Sequence, residues 1–139
     1  MATTLFPKKL LARQHELTTD FRRLVVAHVA DIAAGRATET LEIRDFAGLL
    51  CIHPTHLSNT SKLATGQPPC FFFEAKLLAM SQYLLRDTTR TVADIAASLT
   101  YDASNFTKFF KRFAGLTPKQ YREQVWAARP AAIAEAVTS

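Results

Sequence analysis

A chain of 139 residues, 48% hydrophobic and 21% charged, holds enough apolar material for a packed core and too little charge for disorder; its length suits one domain or two tightly joined subdomains. Four glycines are too few for a turn-rich β protein, and no apolar run approaches the roughly 18–20 residues needed to cross a bilayer. Lys and Arg number 17 against 12 Asp and Glu, and the net charge of +5 points to an anionic partner.

Two cysteines, Cys51 and Cys70, give no disulfide framework and suit a reducing compartment. The start, "MATTLFPKKLLARQ", lacks the pattern of a secretory signal. The expectation is a cytoplasmic protein without membrane association.

Helical periodicity dominates the chain. Phe21, Leu24, Val25, His28, Val29 and Ile32 recur at three and four residues, one helix face, with Thr18 or Thr19 as the predicted cap and Gly35 as the stop. After the connection "RATET", a short helix from about Ile43 turns Phe46, Ala47 and Leu50 inward. "CIH" reads as a turn, and Pro54 opens the next helix at a position where its missing N–H costs nothing. That helix runs toward Gly66. "QPP" breaks the chain before a long, mostly apolar helix from about Cys70 to Leu85. Beyond "RDTTR", Thr91 with Asp94 resembles a capping box, and Ile95, Ala96 and Leu99 form a short apolar face. Phe106, Phe109, Phe110 and Phe113 follow at i, i+3, i+4 and i+7, which is core spacing and not a stacking platform. Gly115 stops that helix, Thr117 and Pro118 start another, and the tail "RPAAIAEAVTS" reads as frayed.

The most informative feature is a repeat. Asp94 follows Asp45 by 49 positions, and the same offset pairs Ala47 with Ala96, Leu50 with Leu99, Lys62 with Lys111, Gly66 with Gly115 and Pro69 with Pro118. It also pairs Phe46 with Ile95, Ile52 with Tyr101, Leu57 with Phe106 and Ser58 with Thr107. Each copy reads as short helix, tight turn, longer helix and glycine stop, the arrangement that lays a second helix in a major groove. The same frame also serves helical modules that bind protein, so both readings stand at this point.

"VADIAASLTYDASNFTKFFKRFAGLTPKQYR" resembles the C-terminal signature of the AraC/XylS family of transcription regulators, through "DIA", Tyr101 after the turn, "NFTKFFK" and "GLTPKQYR". "HPTHLSNTSKLATG" looks like that family's first recognition helix and its stop. The resemblance covers roughly residues 21–124. It implies an all-α fold of seven helices: two helix-turn-helix subdomains joined by a long linker helix. The corresponding division is an N-terminal segment over 1–17, a first subdomain over 18–69, a linker helix over 70–86, a second subdomain over 87–127 and a flexible tail over 128–139. Many members also carry a separate effector domain; at this length the expectation is a short stand-alone member without one. The sequence departs from the family at the turns, where Cys51 and Thr100 stand in place of the usual glycine, and at Thr60 and Ser61, where larger apolar residues are usual.

The implied partner is double-stranded DNA, read by a monomer in successive major grooves, with RNA polymerase as a further partner open to such a regulator and no cofactor. Family matching places Thr55, Ser58 and Asn59 on the groove side of the first recognition helix, with Lys62 in reach of a phosphate. Asn bonds adenine through two edges and Ser or Thr bonds several bases. In the second copy Ser104, Asn105, Thr107, Lys108 and Lys111 project opposite the phenylalanine stripe. Lys108, Lys111, Arg112, Lys119 and Arg122 form a basic cluster. Lys76 stands where the family's linker helix often has Arg. Cys51, His53 and His56 fit no zinc-ligand spacing, and the chain has neither a nucleophile motif nor a phosphate-binding glycine loop, so no metal site and no enzyme are expected.

Overall fold

The structure, a computed structural model, describes the backbone of residues 7–128 and the side chains of 12–128. The tail over 129–139 and the segment before Pro7 lie outside the described residues. Seven helices and no strand form among those described: α1 (Pro7–Ala33), α2 (Ile43–Leu49), α3 (Pro54–Thr65), α4 (Pro69–Asp87), α5 (Val92–Ser98), α6 (Ala103–Ala114) and α7 (Pro118–Ala127). None is long and apolar enough to cross a membrane. The chain divides into two compact units, Met1–Leu77 and Leu78–Ser139, with the division inside α4.

The repeat survives to the residue. α2 and α5 are related by the 49-residue offset at both ends, and so are α3 and α6. Gly66 and Gly115 end α3 and α6 in the left-handed conformation, with φ of 78° and 79°. Each donates its N–H to the carbonyl four residues back, Lys62 or Lys111, a closure that side-chain-bearing residues resist.

In the first unit, α1 supplies Leu17, Phe21, Val25, Val29 and Ile32 to the core, against Phe46 and Ala47 of α2, Leu57 of α3, and Phe73 and Leu77 of α4. Phe21 meets Phe46 edge-on at 5.6 Å, and Phe46 lies 5.7 Å from Phe73. Each such ring contributes roughly 1.5–3 kcal/mol by burial. His28 joins this cluster, stacked on Phe73 at 6.1 Å, and its Nε2 accepts the Leu41 N–H at 3.0 Å. That bond ties the connection after α1 to the core. Burial holds the His28 imidazole below its ordinary pKa, with the Asp31 carboxylate opposing. α1 ends in paired bonds, Arg36 N–H to Asp31 O and Gly35 N–H to Ile32 O, which satisfy two terminal carbonyls.

In the second unit, Leu84 and Leu85 of α4, Ile95, Ala96, Leu99, Phe106, Phe109, Phe110 and Pro118 are buried. Tyr101 stacks on Phe109 at 5.2 Å, and Phe110 meets Tyr121 of α7 at 5.3 Å. Thr117 and Gln120 form a reciprocal capping box at the start of α7. At Thr91 only half of the expected box forms: its hydroxyl accepts from the Asp94 N–H.

Three sequence expectations are corrected. α1 begins at Pro7 and not at a Thr18 or Thr19 cap. Thr18 is buried inside it, its hydroxyl donating to Gln14 O at 2.8 Å, so the inward stripe continues upstream through Leu17 and Gln14. Phe113 is 36% exposed, because its ring neighbours are Phe109 and Arg112 of its own helix, at the edge of the stripe. Arg122 leaves the basic cluster. Its guanidinium donates to the Leu85, Leu84 and Thr88 carbonyls at 2.9, 3.4 and 3.2 Å, and the Trp126 Nε1–H donates to Arg86 O at 2.9 Å. Together they add partners for the carbonyls at the end of α4, of which Leu84 O also accepts from the Thr88 N–H and hydroxyl.

Candidate nucleic-acid interface

Each recognition helix is set by the turn before it. Residues 50–53 join α2 to α3 and residues 99–102 join α5 to α6. Cys51 and Thr100, equivalent under the repeat, are the non-glycine residues with positive φ among those described, at 59° and 68°. The turns share their bonds: Ile52 N–H to Ala47 O at 3.0 Å in one, Tyr101 N–H to Ala96 O at 2.9 Å in the other. The left-handed residue at the same point in both explains why glycine suits this position, and each side chain there carries strain of roughly 1–2 kcal/mol.

The caps differ. His53 caps α3 by accepting the Thr55 N–H on Nδ1 at 3.1 Å. Asp102 caps α6 with both oxygens, accepting the Asn105 N–H at 2.8 Å and the Asn105 side-chain amide at 2.6 Å.

On α3, Thr55, Ser58, Asn59 and Lys62 fall at i, i+3, i+4 and i+7, opposite the buried Leu57, Thr60 and Ser61; Ser58 is half-buried and the other three are exposed. The small Thr60 and Ser61 do not leave the core unsatisfied, since Ser61 Oγ donates to Gln67 O at 2.7 Å. On α6, Ser104, Asn105, Lys108, Lys111 and Arg112 are exposed opposite the buried Phe106, Phe109 and Phe110. Thr107 is half-buried, and its hydroxyl donates to Ala103 O at 2.9 Å. Arg112 lies over the Phe113 ring at 4.6 Å. Lys119, in the first turn of α7, is exposed, and Lys76 is half-buried on α4.

Two further exposed residues on α3 are not among the groove residues expected from the family match. His56 sits at the repeat position of Asn105, and Leu63, 71% exposed, sits at that of Arg112. Carrying the 49-residue offset along the whole helix would have found both.

A family profile described as a helix-turn-helix domain matches residues 46–124, which span both copies. The chain belongs to the AraC-type helix-turn-helix family. An AraC-type transcriptional regulator from Chromobacterium violaceum has a solved structure similar to this one, with a TM-score of 0.70 at 20% identity over 86% of this chain and 99% of that one. Two curated relatives are the F1 operon positive regulatory protein of Yersinia pestis, 35% identical over 48% of this chain and 23% of its own length, and the HTH-type transcriptional activator AarP of Providencia stuartii, 25% identical over 80% and 81%. The AraC-type match is to a family of DNA-binding transcription regulators, not a class of enzymes. The chain spans 23%, 11% and 37% of the first three curated relatives it matches.

Proposed function

We propose that this AraC-type chain regulates transcription by laying α3 and α6 in successive major grooves, with α4 as the linker. The supporting observation is the repeat: two turns with the same left-handed residue and the same closing bonds present two equivalent helices, each with a polar outer face. In this reading Ser104, Asn105 and Thr107 contact base edges or sugar on the second half-site, and Thr55, Ser58 and Asn59 do so on the first. Lys62, Lys108, Lys111 and Arg112 neutralise phosphates. Residues 18–69 and 87–127 act as the two subdomains and 70–86 joins them. The protein works in the cytoplasm as a monomer on DNA, RNA polymerase is a further partner, and no catalytic step is assigned.

Fluorescence anisotropy with a duplex selected from a random pool, repeated across salt, tests this. Neutralising several phosphates releases as many counterions, so affinity falls steeply as salt rises. The alternative, a protein-interaction module on a degenerate frame, gives weak binding or a flat salt response.

A further inference from the structure

Asn105 stands in the first turn of α6, the part of a recognition helix that reaches base edges. Its side chain is not free to present either end of its amide. Asp102 accepts the Asn105 backbone N–H on Oδ1 at 2.8 Å and the Asn105 Nδ2–H on Oδ2 at 2.6 Å. A carboxylate accepts and does not donate, so only the NH2 end of the amide can meet it. One N–H of Asn105 is thereby spent on the cap, and Oδ1 is the end that the carboxylate does not take. Both residues are exposed. One side chain thus finishes the helix and also orients an asparagine that alone would offer a donor and an acceptor equally. In the first copy the equivalent pair is His53 and His56, and there His53 accepts the Thr55 N–H.

We propose that Asp102 is a positioning residue for base reading: it holds the Asn105 amide by its NH2 end and leaves Oδ1 to the DNA, so that α6 selects a base bearing an amino group, adenine or cytosine, at one position of the second half-site. This rests on the reading that α6 enters a major groove. Adenine N6 and cytosine N4 donate there, whereas thymine O4 and guanine O6 and N7 accept. A guanine or thymine at that position sets its acceptors against an amide oxygen and a neighbouring carboxylate. Disfavouring the wrong base in this way contributes to specificity as much as favouring the right one.

The test compares the duplexes selected from a random pool by the full chain and by three variants, each checked by circular dichroism. The wild type is expected to prefer adenine or cytosine roughly fivefold or more over guanine and thymine at one position, and Asn105→Ala to lose the preference there alone. Asp102→Asn keeps a capping oxygen but puts an NH2 where Oδ2 stood. Only Oδ1 of Asn105 can meet that NH2, so the amide turns over and the preference moves to guanine or thymine at the same position. Asp102→Ser keeps a cap with no second group, and the preference should flatten. A role in capping alone would leave the preference unchanged in both Asp102 variants, and Asp102→Ser decides if Asp102→Asn loses structure. The proposal is overturned, with the DNA reading intact, if a site is selected and the Asp102 variants keep the wild-type preference, if Asn105→Ala changes no position, or if the position it releases holds guanine or thymine in the wild type. If no site is selected, the reading of α6 fails and this proposal with it.

Discussion

The two helix-turn-helix copies share a backbone and differ in what fills it and what coats it. Behind α6 stand Phe109 and Phe110; at the same repeat positions behind α3 stand Thr60 and Ser61, both buried. The first copy has instead the long α1, which packs closely on α3 and brings Phe21, Val25 and Val29 with it. Small residues on α3 are what close approach requires. In front, α6 carries Lys108, Lys111 and Arg112, while Lys62 is the sole Lys or Arg of α3. One frame therefore supports an aromatic-cored, cationic unit and a unit that relies on an added helix and presents a nearly neutral face. Position on the frame sets where a side chain points, and its neighbours set what it can be.

The largest expected effect tests the cores. Phe110→Ala should cost roughly 3–5 kcal/mol through lost burial and a cavity. Ser61→Phe, which writes the second copy's residue into the first, should also destabilise, by roughly 1–3 kcal/mol, because α1 already occupies that space. Urea unfolding measures both; a neutral Ser61→Phe would show that α1 does not fill the role given to it.

The coats come next. Lys111→Ala should weaken binding to all sequences and lower the salt slope by about one, as loss of a phosphate contact does. Asn59→Ala should cost about 1–3 kcal/mol on the preferred site and little elsewhere. Equal loss on every duplex from Asn59→Ala, with none from Lys111→Ala, would reverse the roles given to the two helices.

The turns give a smaller effect of one sign in both copies. Cys51→Gly and Thr100→Gly should each stabilise by roughly 0.5–1 kcal/mol, the relief of left-handed strain less the added chain entropy of glycine. A loss of melting temperature at either position would contradict the shared geometry.

Acid should separate the units most gently. All four histidines lie in the first unit, and His28 is the buried one. Its folded pKa is lowered, so above about pH 6.5 both states are neutral and nothing is lost. As pH falls below that value, the unfolded chain takes up a proton that the folded one resists, and stability declines until the folded pKa is passed. The difference in stability between wild type and His28→Gln, measured from about pH 8 to about pH 5, should shrink as pH falls.

Most of this architecture was legible in the sequence, because the 49-residue register carried apolar, small and glycine positions together. The helix from Ile43, the Pro54 start and the Gly66 and Gly115 stops all follow from local chemistry. What was not legible depends on tertiary neighbours. Thr18 looks like a cap, and only the burial of Leu17 and Gln14 shows that α1 continues past it. Phe113 keeps the stripe's spacing but sits at its edge. Arg122 reads as one more surface cation, and nothing within ten residues of it announces the α4 carbonyls it meets.

Those carbonyls link the last turn of α4 to a side chain 37 residues downstream. The end of α4 is thus finished only after α7 has arrived, so the two should open together as one cooperative piece. In native-state hydrogen exchange, the amides of the last turn of α4 should share an opening free energy with those of α7. Arg122→Ala should lower both in step while leaving the amides of α1 as they were.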